Sequence, residues 1–140
     1  MTRSLAVLSC ALLLLTTLSR VVSAQPGPLT GLSIETELKS TSQQMNRGCP
    51  VMVDKETRLD ATAGGPGNMF TYSFTLVNYE VQDINVPALR ETMRPHLVDM
   101  VKSNPAMTLF RSNRVTLVYK YRDKRGRPIM DIALRPQDYQ

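Results

Sequence analysis

The sequence predicts an α+β domain, with a four-stranded antiparallel sheet and one or two helices packed on one face, in the order α-β-β-α-β-β. Three observations carry that expectation. Phe70, Tyr72, Phe74 and Leu76 alternate with Thr71, Ser73 and Thr75, the period of a strand with one buried face. Val86, Leu89, Met93, Leu97, Met100 and Val101 form one apolar stripe at helical spacing. Val115, Leu117, Tyr119 and Tyr121 alternate again, a turn runs from Arg122 to Gly126, and Ile129 to Leu134 returns as a partner strand. Connections short enough for hairpins favour antiparallel pairing.

The elements follow in chain order. Arg3, the apolar run Leu5 to Leu18 and the small residues Val22-Ser23-Ala24 have the order of a secretory signal peptide, cut near Ala24. The run is shorter than the roughly 20 residues a membrane span needs, so residues 1–24 are expected to target the chain and not to anchor it. That makes the protein exported, periplasmic or secreted. Residues 25–31, rich in proline and glycine, are expected to be a flexible leader to a single domain at 32–140.

From Ser33, Ile34, Leu38, Thr41 and Met45 recur at helical spacing until Gly48. Val51, Val53, Thr57, Leu59 and Ala61 then hold odd positions of a strand, interrupted near Lys55. Ala63 to Asn68 is dense in turn residues. Asn85 is the expected N-cap of the second helix, and Pro95 predicts a kink or two shorter helices, because a proline inside a helix typically costs about 3 kcal/mol.

The chain carries 17 basic and 12 acidic residues, for a formal charge of +5. Loss of Arg3 and Arg20 with the signal leaves 15 against 12, a surplus too small to demand a nucleic-acid partner. Cys10 departs with the same segment, so Cys49 is the single remaining thiol and no internal disulfide can form. Cys49 is therefore an inert half-buried side chain, an intermolecular bridge or a reactive thiol.

Chemistry-bearing residues are few. His96 is the only histidine, a poor basis for a metal site, and the residues call for no cofactor. Cys49 with His96 could form a small thiol-dependent or hydrolytic enzyme. Asp54, Glu56 and Asp60 read as a solvated strand face, and Gly64-Gly-Pro-Gly67 as a turn, since no Lys-Ser/Thr follows it. The distinctive electrostatic feature is C-terminal: Arg111, Arg114, Lys120, Arg122, Lys124, Arg125, Arg127 and Arg135 face only Asp123 and Asp131. Four of them, Arg122, Lys124, Arg125 and Arg127, crowd the hairpin tip and are the candidate binding residues for an anionic partner. The alternative is protection of an exposed edge.

Val53-Asp-Lys-Glu-Thr-Arg-Leu-Asp60, Gly65-Pro-Gly67 and Phe70-Thr-Tyr-Ser-Phe-Thr-Leu-Val-Asn78 together resemble a family of small exported bacterial proteins of uncharacterised function. The likeness runs over roughly residues 45 to 138. It implies a bacterial exported protein and supplies no activity to transfer. It further implies that relatives carry a cysteine near the end of the second helix and another at the C-terminus, where this chain has Lys102 and Tyr139. Tyr139 then stands as a noncovalent substitute for a disulfide absent here.

Export, a compact apolar pattern and so thin a catalytic inventory point to a non-enzymatic interaction module, such as an inhibitor or immunity-type protein. Its expected partner is a protein in the cell envelope, with neither nucleic acid nor a stable membrane anchor after cleavage. The alternatives are the Cys49–His96 enzyme and an envelope protein that binds anionic lipid through the basic tip.

Overall fold

In the computed structural model, the described residues are 31–140; the expected signal peptide and the leader up to residue 30 lie outside them. The first helix, α1 (Gly31–Asn46), turns Ile34, Leu38 and Ser42 inward. Three extended segments follow before the second helix and two after it: β1 (Val51–Met52), β2 (Thr57–Gly65), β3 (Met69–Leu76), α2 (Val86–Ser103), a short α3 (Thr108–Ser112), β4 (Thr116–Asp123), β5 (Pro128–Leu134) and a terminal turn of helix, α4 (Pro136–Tyr139).

The sheet has five strands in the order β1-β2-β3-β4-β5 and is mixed, which corrects the expected four-stranded antiparallel arrangement. β3 and β4 are parallel, with Tyr72 opposite Tyr119 and Phe74 opposite Tyr121, while the remaining pairs are antiparallel. The reason is connectivity: α2 carries the chain back along the sheet, so β4 sets out from the same end as β3.

The expected strand from Val51 to Ala61 is a hairpin. Asp54 Oδ1 accepts the N–H groups of Glu56 and Thr57, both at 2.7 Å, and turns the chain. Val51 then pairs with Leu59 and Met52 with Arg58. Odd residues meet odd residues across this turn, so the alternation runs on as if unbroken. A register shift between Leu59 and Ala61 exchanges the faces, and Thr62 is buried in place of Ala61. Part of the glycine-rich linker is strand as well. Gly64 lies directly under α1, where a Cβ would collide with the backbone of Leu38 and Lys39; only glycine admits the helix so close.

Asn85 caps α2 as expected, its side chain accepting the Ala88 N–H at 3.1 Å. The helix runs on through Pro95 without a break into two. Pro95 and Glu91 both sit on the solvent side, so the carbonyl freed by the missing N–H can be hydrated.

Both helices cover the same sheet face. Leu59, Phe70, Tyr72, Leu76, Leu117, Tyr119, Tyr121, Ile132 and Leu134 are buried there beneath Ile34, Leu38, Val101 and Phe110. Phe70 meets Phe110 at 4.9 Å between ring centroids. The opposite face presents exposed Ala61, Ala63, Lys120, Arg122, Asp131 and Ala133.

The sheet edges carry side-chain caps. Asn46, the last residue of α1, donates to the Thr62 carbonyl at 2.9 Å and accepts the Thr62 N–H at 2.7 Å, standing in for a neighbouring strand. On the far edge Arg90 and Arg94 of α2 donate to the carbonyls of Asp131 and Ala133 at 2.7 and 2.9 Å. Arg94 also pairs with Asp138 of α4 at 3.0 Å. Tyr139 is 2% exposed and its hydroxyl donates to the Val115 carbonyl, so the C-terminus is fastened without a covalent link.

Candidate functional site

Among the described residues, two places hold chemistry beyond packing. The first is the turn between β4 and β5. Asp123, wholly buried, ends β4 and accepts four donors: the N–H groups of Arg125 and Arg127 on Oδ1 at 2.9 Å each, and the Val81 N–H and the Arg127 Nε on Oδ2 at 3.1 and 2.7 Å. Those donors fill the capacity of a carboxylate. Gly126, at φ +81°, makes the sharp return that brings both N–H groups inward. Burial by itself disfavours the charged form, but the four hydrogen bonds outweigh it and hold the Asp123 pKa at about 2.

Glu80, on the link between β3 and α2, gathers the cations around it. Lys124, Arg125 and Arg127 reach its carboxylate at 3.2, 2.9 and 3.1 Å. Its burial opposes ionisation, yet hydrogen bonds from Gln82 and Lys124 and the charges of Arg125 and Lys124 lower its pKa. Three of the four tip residues singled out in the sequence are thus engaged by two acids of the chain itself. Arg122 is set apart: it is exposed and makes no ion pair among the described residues.

The second place is the strip of sheet between the two helices. α1 packs against β2 and β3, whereas α2 lies along β5, and the central strands are floored by stacked aromatic rings. Tyr72 and Tyr119 stack at 5.1 Å and 7°, Phe74 and Tyr121 at 5.2 Å and 15°. Along α2, only Val101 is fully buried. Leu89, Met93, Leu97, Val98 and Met100 touch the core yet are only partly buried, and Met45, Cys49 and Val53 do the same on the other side. The hydroxyl of Tyr119 is buried and has no hydrogen-bond partner. The hydroxyls of Tyr72 and Tyr121 have none among the described residues.

Cys49 follows α1, its thiol donating to the Met45 carbonyl at 3.5 Å. Burial, with Asp60 nearby, raises its pKa, so the thiol stays protonated. His96 is exposed on α2, and no hydrogen bond joins the two residues among those described. The strand carboxylates serve locally: Asp54 makes the turn, Glu56 accepts from Tyr79 at 2.8 Å, and Asp60 pairs with Arg58 and accepts the Thr75 hydroxyl. No group of three or more metal-ligating side chains is placed to hold an ion among the described residues. No described helix is long and apolar enough to cross a membrane.

Sequence inspection passed over Glu80 and took the tyrosines for core alone. A buried acid is legible only once its partners, distant in sequence, are known. The tyrosine pattern offered one clue: three phenols on neighbouring strands bring three hydroxyls to one face of the sheet.

The chain belongs to the family described as a domain of unknown function, DUF8479, whose model matches residues 33–130. Among curated proteins none matches it in sequence. Three solved structures share the fold. A protein from Pseudomonas aeruginosa described as secreted is 14% identical with a TM-score of 0.67, covering 82% of this chain and 100% of its own. A pilotin of the Vibrio vulnificus type 2 secretion system, EpsS, is 11% identical with a TM-score of 0.61, covering 79% and 94%. The type II secretion system pilotin AspS from Vibrio cholerae is 10% identical with a TM-score of 0.59, covering 77% and 94%. At such identities the likeness concerns the fold.

Proposed function

We propose that this protein is an exported, non-enzymatic interaction module of the bacterial envelope, and that it receives an apolar segment of a partner protein along α2 and the aromatic strip beside it. One observation carries the proposal: an 18-residue helix with a long apolar stripe buries only one residue fully, above a floor of stacked rings. Half-buried methionines and leucines beside an aromatic surface suit a second apolar chain. The pilotins of similar fold serve a secretion system, and by analogy the partner here is a component of a comparable envelope assembly. A narrower form is an inhibitor or immunity-type protein that uses the same strip.

The basic tip is the weaker candidate for an anionic partner, because Glu80 and Asp123 already engage three of its four cations. An enzyme built on Cys49 is disfavoured by a thiol held protonated.

A photo-crosslinking residue at Met93 or Leu97 should capture a partner in the living host, whereas the same group at Ala133, on the open sheet face, should not. Equal adducts at both places, or none at either, would remove the strip from consideration. Export has its own check: protein recovered from the periplasm or medium should begin at Gln25, and cytosolic protein that retains Met1 would contradict it.

A further inference from the structure

The aromatic strip holds a polar feature that packing does not explain. Tyr119 is 2% exposed, lies in the middle of the sheet, and buries a hydroxyl with no partner. A hydroxyl left in this state normally costs folding stability, and native proteins satisfy nearly all such groups. Its neighbours differ by degree. Tyr72 and Tyr121 are 8% and 3% exposed, and their hydroxyls make no hydrogen bond among the described residues but are not enclosed as that of Tyr119 is. Tyr72 is stacked parallel on Tyr119, and Tyr119 lies within electrostatic reach of both. Tyr139, the fourth phenol nearby, is different: Val115 accepts its proton.

The geometry points to the hydroxyls of Tyr72, Tyr119 and Tyr121 as the polar element of the binding strip, which takes an apolar peptide segment carrying a neutral hydrogen-bond acceptor, such as a side-chain amide or a free backbone carbonyl. This rests on the strip being the docking surface. A neutral acceptor follows from the surroundings. The phenols keep their protons, because burial disfavours the phenolate, so they offer donors. The charged group that acts on Tyr121 is Asp54, an anion, and it repels a carboxylate on the bound segment. A peptide is favoured over an acyl chain by the shape of the surface: the half-buried side chains from Leu89 to Met100 run in a line along a helix, about 16 Å at 1.5 Å per residue, and stay open to solvent on one side.

The test uses two synthetic amphipathic Leu/Lys peptides that differ at one central apolar position, Leu in one and Gln in the other, with binding read by fluorescence anisotropy. The protein should prefer the Gln peptide by about tenfold, the scale of one unmet hydrogen bond. Tyr119→Phe, which keeps the stacked ring, should erase that preference and melt at or above the wild-type temperature, since it removes a hydroxyl that nothing in the chain engages. A preference for the Leu peptide, or a Gln preference that survives in Tyr119→Phe, overturns the role of the hydroxyls and leaves docking on the strip intact. Failure of both peptides to bind overturns the docking as well. Binding of oleate in place of either peptide would put an acyl chain on the strip, and a Tyr119→Phe variant melting well below wild type would mean that the hydroxyl is already used within the fold; either result overturns the inference.

Discussion

The β4–β5 turn and the strip between the helices treat polar atoms in opposite ways. In the turn every oxygen of Asp123 has a donor, and Glu80 has three cations around it. In the strip a tyrosine hydroxyl is buried with nothing to meet it. A saturated polar cluster holds its own chain in one geometry; an unsaturated one has bonding capacity left over. Charge density is therefore a poor guide to unused bonding capacity in this fold, because its densest cations are consumed locally, while a phenol among uncharged rings is left unmet.

The largest effect should come from breaking the saturated side. Asp123→Ala leaves three backbone N–H groups and one guanidinium without their acceptor at a buried position, and should lower the melting temperature by on the order of 10 °C, read by circular dichroism. A drop no larger than that of an ordinary surface substitution would mean that water replaces the carboxylate without loss.

The packing contrast within α2 comes next. Val101→Ala should cost about 2 kcal/mol in a urea titration, because that side chain is fully enclosed. Met93→Ala should cost less than about 1 kcal/mol, because it is only partly buried. Equal losses would show the strip to be ordinary core.

Acid offers a gentler probe. Asp123 titrates in the folded protein near 2, below the ordinary carboxylate value of 3.8, so its contribution to stability is fully present above about pH 4 and is lost as the pH falls through about 2. The melting temperature should decline across that window, and Asp123→Asn should flatten the decline. The smallest effect separates residues that look alike in the sequence. Arg122→Ala should move the melting temperature by less than about 2 °C, whereas Arg127→Ala, which removes contacts to Asp123, Glu80 and Gln82, should move it several times further.

Much of the framework was legible in the sequence. Strands β3, β4 and β5 follow their alternation, and Asn85 caps α2 where the pattern placed it. What escaped depends on partners far along the chain. The hairpin at Asp54 keeps odd residues facing odd residues, so periodicity cannot reveal it. The parallel pairing of β3 and β4 depends on the route of a helix, which short-range pattern does not encode. Gly64 reads as a turn residue until α1 is seen lying on it. At the candidate site, the basic tip was conspicuous because charge is visible residue by residue. Glu80, some 40 positions earlier, was not, since nothing in its own neighbourhood announces that Arg127 will reach it. The tyrosines were visible as apolar bulk, but whether a hydroxyl finds an acceptor is decided only in three dimensions.

Arg90 and Arg94 have one more consequence. By occupying the carbonyls of Asp131 and Ala133, they take up the acceptors that an incoming extended peptide would need to lengthen the sheet beside β5. Recognition by strand addition is closed along that margin, and identical copies cannot zip together there into a continuous ribbon. The same two side chains hold α2 by its flank, adding polar fastenings to the partial packing of its apolar side.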